Sequence, residues 1–212
     1  MTKNKDYSCS SELLITPSLL NSWLYIWNCV DNVKETEKDT ICLEDKKDDA
    51  IAKAKEDFIK TLKRIPSEPN QYMQMGIDFE NECCEGRQPE VSPIIENGLF
   101  QVVGKKNVEV GGVKLLMYGR LDVLKGGVIY DIKRVMKYAP QKYIKSSQHP
   151  FYLELFERAY KFVYLVHDGG KLHIETYYRD ECESIYNIIL DFIKWLKEND
   201  LFETYKEYWK CK

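Results

Sequence analysis

Residues 119–133 read GRLDVLKGGVIYDIK and contain the clearest pattern in this chain. Two β-rich runs are separated by Gly126-Gly127, a pair typical of a two-residue hairpin turn. A turn of that length sets a register in which Asp122 lies opposite Asp131. Because side chains alternate along a strand, Asp131 and Lys133 share one face. The sequence therefore predicts two carboxylates and a lysine close together on neighbouring strands.

A longer β-rich region surrounds this hairpin. Its three runs are separated by glycine pairs and lie at 100–110, 113–124 and 128–135. Such runs predict a three-stranded antiparallel meander. Helical patterns occur at 16–27, 51–65, 70–85, 140–158 and 182–197, with a break expected near 147–150. Two further strand patterns occur at 161–167 and 171–178. We therefore expect an α/β fold, with a mixed central β-sheet that contains an antiparallel meander and is flanked by helices.

The length of 212 residues suits a single domain. We divide it into a helical N-terminal part over 1–70, a core over 71–200 and a terminal helix over 201–212. Charges dominate near 31–49 without an apolar period, which predicts a loop there. Hydrophobic residues make up 44% of the chain, so the wholly disordered classes of protein are excluded.

Neither secretion nor membrane insertion is supported by the sequence. The longest uncharged stretch, 13–30, is interrupted by polar residues and is typical of an amphipathic helix rather than a membrane span. No secretory signal pattern is visible. Seven cysteines without CxxC spacing suit reduced thiols better than disulfides or a zinc site. We therefore expect a cytoplasmic protein with no membrane partner.

The basic residues are distributed unevenly. The formal net charge is -3, so the surface as a whole cannot act as a polycation. Residues 132–149 nevertheless contain five basic side chains and no acidic one: Lys133, Arg134, Lys137, Lys142 and Lys145. A basic segment beside two acids is typical of a site that faces a phosphate backbone. The alternative is a solvated helix face.

The two predicted carboxylates would repel each other unless a cation or a shared proton relieves them. Hard oxygen ligands of this kind suit Mg²⁺ or Mn²⁺, which also bind substrate phosphate. Lys133 could then hold the phosphate or the nucleophilic water. The alternative is a surface hairpin in which Asp and Lys form ordinary cross-strand charge pairs.

Four short motifs follow one another along the chain: Gly76–Glu80, Gly119–Asp122, Asp131-Ile132-Lys133 and Gln148–Tyr152. In that order they resemble the helical Gly-x-x-x-His/Glu motif, the first acidic motif, the Asp/Glu-x-Lys motif and the Gln-x-x-x-Tyr motif of the PD-(D/E)XK nuclease superfamily. The resemblance is to its RecB-like or phage-type exonuclease branch. The opening Thr16–Leu20 also resembles the first helix of this branch.

The resemblance implies a restriction-endonuclease-like core and a metal site. One or two Mg²⁺ or Mn²⁺ ions would be held by Glu80, Asp122, Asp131 and the backbone carbonyl of Ile132. The catalytic residues would be Asp122, Asp131 and Lys133. Many members carry His at the position of Glu80, and a carboxylate there favours the harder metals. Only Cys182 and Cys211 lie late in the chain, so we expect no iron-sulfur cluster.

The remaining candidate residues are expected to bind DNA or to support the site. They are Gln148, Tyr152, Arg120, Arg134, Lys137, Lys142 and Lys145. By resemblance the chain is a metal-dependent deoxyribonuclease, with an exonuclease of recombination, repair or phage DNA processing favoured. Its expected partner is DNA, in a bacterial or phage-infected cell, as a homo-oligomer or within a larger complex. The alternatives are a structure-specific endonuclease and a non-catalytic binding module that retains the nuclease fold.

Overall fold

The computed structural model describes residues 13–32, 40–66, 68 and 70–211. Its α-helices are α1 (Pro17–Asn28), α2 (Thr40–Leu62), α3 (Gln71–Cys84), α4 (Ser92–Ile95), α5 (Gln148–Leu155), α6 (Ile185–Glu198) and α7 (Phe202–Tyr208). Its strands are β1 (Leu13–Ile15), β2 (Leu99–Val110), β3 (Val113–Lys125), β4 (Val128–Arg134), β5 (Lys161–His167) and β6 (Leu172–Tyr178). In this described part, no helix combines the length and apolar character that crossing a membrane requires.

The chain divides into two compact units. The first comprises residues 1–66, 105–118 and 186–212, and the second comprises 67–104 and 119–185. All candidate site residues belong to the second unit. The prediction of a single nuclease domain remains a prediction.

The first unit is built around aromatic side chains. Helix α1 begins where predicted, because the Thr16 hydroxyl accepts a hydrogen bond from the Leu19 N–H (3.3 Å) and a proline occupies the first turn. Phe192 from α6 makes edge-on contacts with Trp23, Phe58 and Tyr205, at centroid distances of 5.5, 6.3 and 5.5 Å. These contacts join four helices of the unit into one core.

The predicted loop near 31–49 is wrong from Thr40 onward, because α2 already begins there. Residues 33–39 lie outside the described part of the chain. Asp48 and Asp49 are exposed within the helix. A charged segment without an apolar period can still be helical when it extends a helix that packs elsewhere, since lysine and glutamate have good helix propensity.

The strands form one mixed sheet, in which β3, β4, β5 and β6 are successive neighbours and β1 and β2 also pair with β3. Strand β4 is antiparallel to β3 and parallel to β5, and β6 is antiparallel to β5. Gly111, Gly112, Gly126 and Gly127 all have positive φ, as tight hairpin turns require. The predicted α/β class, with a mixed sheet and an antiparallel meander, is confirmed.

Two hydrophobic clusters cover the two faces of the sheet in the second unit. Helices α3 and α4 contribute Phe79, Cys83 and Ile95 to one cluster, which also contains Ile132 of β4. Helix α5 contributes Tyr152 and Leu153 to the other cluster. Because α3 and α5 lie on opposite faces, they bring side chains to β4 from both sides.

The predicted helix over 140–158 is wrong in its first half. Residues 140–145 form turns, and α5 begins at Gln148. Gln141 has a left-handed φ of 60°, which a continuous right-handed helix does not allow. Pro150 lies in the first turn of α5, where a helix tolerates proline.

Candidate active site

The Asp122 carboxylate accepts a backbone hydrogen bond at the point where strands β3 and β4 separate. The β3–β4 pairing ends at Val123 and Tyr130, in the register that was predicted. Beyond this last pair, the Ile132 N–H donates to Asp122 Oδ2 at 2.8 Å. The predicted proximity of Asp122 and Asp131 follows from this register. At this position the hydrogen bond between the two strands is accepted by a side-chain oxygen of Asp122.

The side chains of strand β3 change faces of the sheet at Asp122. Residues two apart on a regular strand share a face. Leu121 nevertheless packs in the cluster beneath α5, whereas Val123 packs in the cluster beneath α3. The alternation therefore shifts between these two residues, and this irregularity directs the Asp122 side chain toward the Ile132 amide.

Asp131 is the most buried acid of the site, with a relative exposure of 3%. The Gln148 side-chain amide donates to its Oδ1 atom. Lys133 Nζ lies 2.7 Å from its Oδ2 atom, which confirms that the two side chains share a face. This short ion pair engages the buried Oδ2 atom, so both oxygens of the Asp131 carboxylate have a partner.

Helix α5 supports both acidic strands. Gln148 and Tyr152 are four residues apart and therefore lie on the same helix face. The Tyr152 hydroxyl donates to the Arg120 carbonyl at 2.8 Å. A Cβ atom at Gly119 would lie 2.6 Å from Cε1 of Tyr152, so only glycine allows this close approach. Arg120 itself is exposed.

Glu80 reaches the site from α3, on the other side of β4. Helix α3 begins at the predicted position, where the Asn70 side chain accepts from the Met73 N–H at 2.9 Å. The Glu80 carboxylate accepts a hydrogen bond from the side-chain amide of Gln101 on β2. Gln101 was not predicted, because no motif or periodicity distinguishes it in the sequence.

The charges of the site are strongly coupled. Burial raises the pKa of Asp122 to about 8, and the negative charge of Asp131 adds to this effect. Burial also raises the pKa of Asp131, against the opposing influence of Lys133. The pKa of Glu80 is raised by burial and then by Asp131. Burial alone would lower the pKa of Lys133, but Asp131 and Asp122 outweigh it and raise that pKa.

These donors fit a hard divalent cation. Asp122 and Asp131 provide carboxylate oxygens, the ligands that Mg²⁺ and Mn²⁺ prefer. The raised pKa of Asp122 indicates that the single positive charge of Lys133 does not offset both acids. Among the residues described, no three His, Cys, Asp or Glu side chains already form a metal-binding group. An ion held by two carboxylates would keep several of its waters.

Most lysines of the basic segment are exposed. Three of its four lysines, Lys137, Lys142 and Lys145, lie on the surface, and Lys133 is half-buried. Arg134 differs, because its guanidinium donates to the carbonyls of Val135 (2.7 Å) and His167 (3.1 Å). Arg134 therefore links the end of β4 to the end of the parallel strand β5.

A buried acid attaches this segment to the sheet. Glu175 on β6 accepts hydrogen bonds from the Tyr138 hydroxyl (2.9 Å), the Gln141 N–H (3.1 Å) and the Tyr177 hydroxyl (2.8 Å). The sequence does not indicate that Glu175 attaches this segment, since an isolated Glu in a strand pattern resembles a solvent-facing residue. The contacts hold the lysine-bearing turns on the face of the sheet that carries Asp131.

A pair of tyrosines borders the carboxylates. Tyr164 on β5 is the direct neighbour of Asp131 on β4. The ring of Tyr143 stacks on Tyr164 with a centroid distance of 4.4 Å and an interplanar angle of 15°. Burial raises the pKa of Tyr143 to about 12, so its hydroxyl remains protonated at neutral pH.

Comparison with known proteins relates the fold to two solved structures. No protein-family model and no curated protein matches the chain. The crystal structure of a protein called SSO0001 is similar with a TM-score of 0.54 and 15% identity, over 89% of this chain and 78% of that chain. A crystal structure from Eubacterium rectale bears the name "Putative exonuclease" and matches with a TM-score of 0.43 and 14% identity, over 100% of this chain and 90% of that chain. At 15% identity, the likeness to SSO0001 concerns the fold alone.

Proposed function

We propose that this chain is a divalent-metal-dependent phosphodiesterase that hydrolyses DNA, as the PD-(D/E)XK superfamily does. The observation that carries the proposal is the environment of Asp131. This buried carboxylate lies between Lys133 and Gln148, and Asp122 is its acidic neighbour on β3. Two neighbouring acids with one lysine carry an excess of negative charge, which a bound cation or a proton must offset.

The residues would divide the chemistry among themselves. Asp122 and Asp131 would hold one or two ions, and the chemistry supplied by bound Mg²⁺ or Mn²⁺ is Lewis-acid stabilisation of charge at phosphorus. Lys133 keeps its proton, and it would donate a hydrogen bond to a phosphate oxygen or to the attacking water. Gln148 prevents the Asp131 carboxylate from rotating.

DNA is the proposed substrate because a basic surface adjoins the acids. The exposed Lys137, Lys142 and Lys145 belong to the segment that Glu175 attaches to the sheet. Lysines at such positions neutralise backbone phosphates without reading sequence. Within the nucleases we propose an exonuclease, following the resemblance of the four motifs to the RecB-like or phage-type branch.

Incubation with end-labelled linear DNA and with closed circular DNA tests this proposal. Each DNA is treated with Mn²⁺, with Mg²⁺ and with EDTA, using the wild-type chain and Asp131→Asn. Lys171→Met serves as a control, since Lys171 is an exposed hairpin lysine outside the site. We expect wild type and Lys171→Met to degrade linear DNA, and EDTA or Asp131→Asn to abolish degradation.

Cutting of circular DNA would overturn the exonuclease assignment and favour an endonuclease. DNA binding without cleavage in either metal would overturn the catalytic proposal in favour of a binding module. Equal cleavage by wild type and Asp131→Asn would show that the chemistry lies elsewhere.

A further inference from the structure

Gln101 has a backbone conformation that is rare for its residue type and position. Its φ is 51°, in the left-handed region that residues other than glycine seldom adopt. The other non-glycine residues with positive φ in the described ranges are Arg64, Asn97, Gln141 and Asp200, and none of them lies within a helix or strand. Gln101 alone among these residues lies inside a strand, β2. Such a conformation persists only where the surroundings enforce it, and such sites are often functional.

The consequence of this conformation is a contact with the candidate metal site. The Gln101 side-chain amide donates to Glu80 Oε1. Glu80 needs such a partner, because Asp131 repels its charge.

Each of the three acids accepts a hydrogen bond from an uncharged donor. Asp131 accepts from the Gln148 amide, Asp122 accepts from the Ile132 backbone N–H, and Glu80 accepts from Gln101. Each donor is neutral, so it orients a carboxylate without competing as a cation for the bound ion. This repetition is typical of the outer partners that orient metal ligands. Asp131 differs in that its second oxygen also pairs with Lys133 at 2.7 Å.

We propose that Gln101 is a positioning residue that orients Glu80 as the third carboxylate ligand of the divalent ion. This inference rests on the proposed function, because it requires that Asp122 and Asp131 bind such an ion. Gln101 touches neither substrate nor metal and acts through Glu80.

Calorimetric titration of the DNA-free chain with MnCl₂ tests the proposal without any measurement of activity. Gln101→Gly removes the amide and tolerates the left-handed backbone. Gln101→Asn also tolerates that backbone but is one methylene shorter, so its amide does not reach Glu80. Gln141→Gly is the matched control, since it changes another left-handed glutamine whose side chain is exposed.

Both Gln101 variants should weaken Mn²⁺ binding by roughly 10- to 100-fold. Gln141→Gly should bind Mn²⁺ as wild type does. In a Glu80→Gln background, which itself weakens binding, Gln101→Gly should cause no further loss. Melting temperatures of the Gln101 variants at or above that of wild type would show that the fold is retained.

Several outcomes would overturn the inference. Wild-type Mn²⁺ affinity in both Gln101 variants would do so, and so would an equal loss on Gln101→Gly with and without Glu80. Unchanged affinity in Glu80→Gln would also overturn it, while the role of Asp122 and Asp131 would stand. If the wild-type chain binds no Mn²⁺ and cleaves no DNA, the proposed function fails together with this inference.

Discussion

Asp122 is the residue on which burial and charge repulsion act together most clearly. Its pKa is raised to about 8 by burial and by the nearby charge of Asp131. Without a metal ion, Asp122 is therefore largely protonated at neutral pH. Binding of a divalent ion must displace this proton, so metal affinity and pH are linked.

This linkage predicts how the stability of the metal-free protein depends on pH. The folded-state pKa of Asp122 is raised above the unfolded value of about 3.9. Between these values the folded state holds a proton that the unfolded state has lost, so stability falls as pH rises from about 5 to about 8. Asp122→Asn lacks this proton and keeps an acceptor for the Ile132 N–H. Its melting temperature in EDTA should therefore rise relative to wild type across this range, and a constant difference would contradict the assignment.

The residues that sequence analysis found are those that follow regular rules. Alternation along β4 predicts that Asp131 and Lys133 meet, and the turn length predicts the register of Asp122. Gln101 depends on a left-handed backbone inside a strand, which no residue preference indicates. Glu175 acts only because the turns after β4 fold back over it, and this path is set by tertiary contacts.

At the scale of elements, the close packing of α5 against β3 depends on a single glycine, Gly119. Gly119→Ala would place a methyl group 2.6 Å from a ring carbon of Tyr152. Because the ring is buried, we expect a loss of about 1–3 kcal/mol in the free energy of unfolding. Chemical denaturation measures this loss, and Gly119→Ala should cost less in a Tyr152→Leu background than in wild type. Wild-type stability in Gly119→Ala would contradict the close packing.

A second glycine should behave in the opposite way. Gly76 lies inside α3, and in the described part of the chain nothing approaches its Cβ position within 4 Å. Gly76→Ala should therefore stabilise the protein by about 0.5–1 kcal/mol, since alanine is the better helix former. The same denaturation experiment checks this value. Destabilisation would show that the glycine is required by the fold of α3.

The elements differ in how well the sequence predicts them. The hairpins over Gly126-Gly127 and over 168–170 lie where turn residues indicate them. Helix α2 extends into a charged segment that lacks an apolar period, so its start at Thr40 could not be found from periodicity. Residues 140–145 carry a helix-like pattern but form turns, because Glu175 binds the Gln141 N–H and Gln141 is left-handed.

For the molecule as a whole, the proposed DNA binding requires a local basic surface, because the net charge is negative. The net charge is -3, yet the exposed lysines of residues 135–147 adjoin the site. Lys137→Ala and Lys142→Ala should each weaken DNA binding and reduce the salt dependence of log K by about 0.7–0.9. Fluorescence anisotropy at several salt concentrations measures both effects. Lys171→Ala is the control, and an equal effect of this variant would show that the binding surface lies elsewhere.

In the proposed mechanism, Lys133 acts on the phosphodiester beside a metal held by Asp122 and Asp131. The most direct test of this mechanism is the single-turnover cleavage rate of end-labelled linear DNA at saturating Mn²⁺, for wild type and Lys133→Met. Methionine keeps much of the side-chain length and removes the charge. We predict a rate about 10²- to 10³-fold lower, with DNA and Mn²⁺ still bound. A rate within a few-fold of wild type would contradict the account.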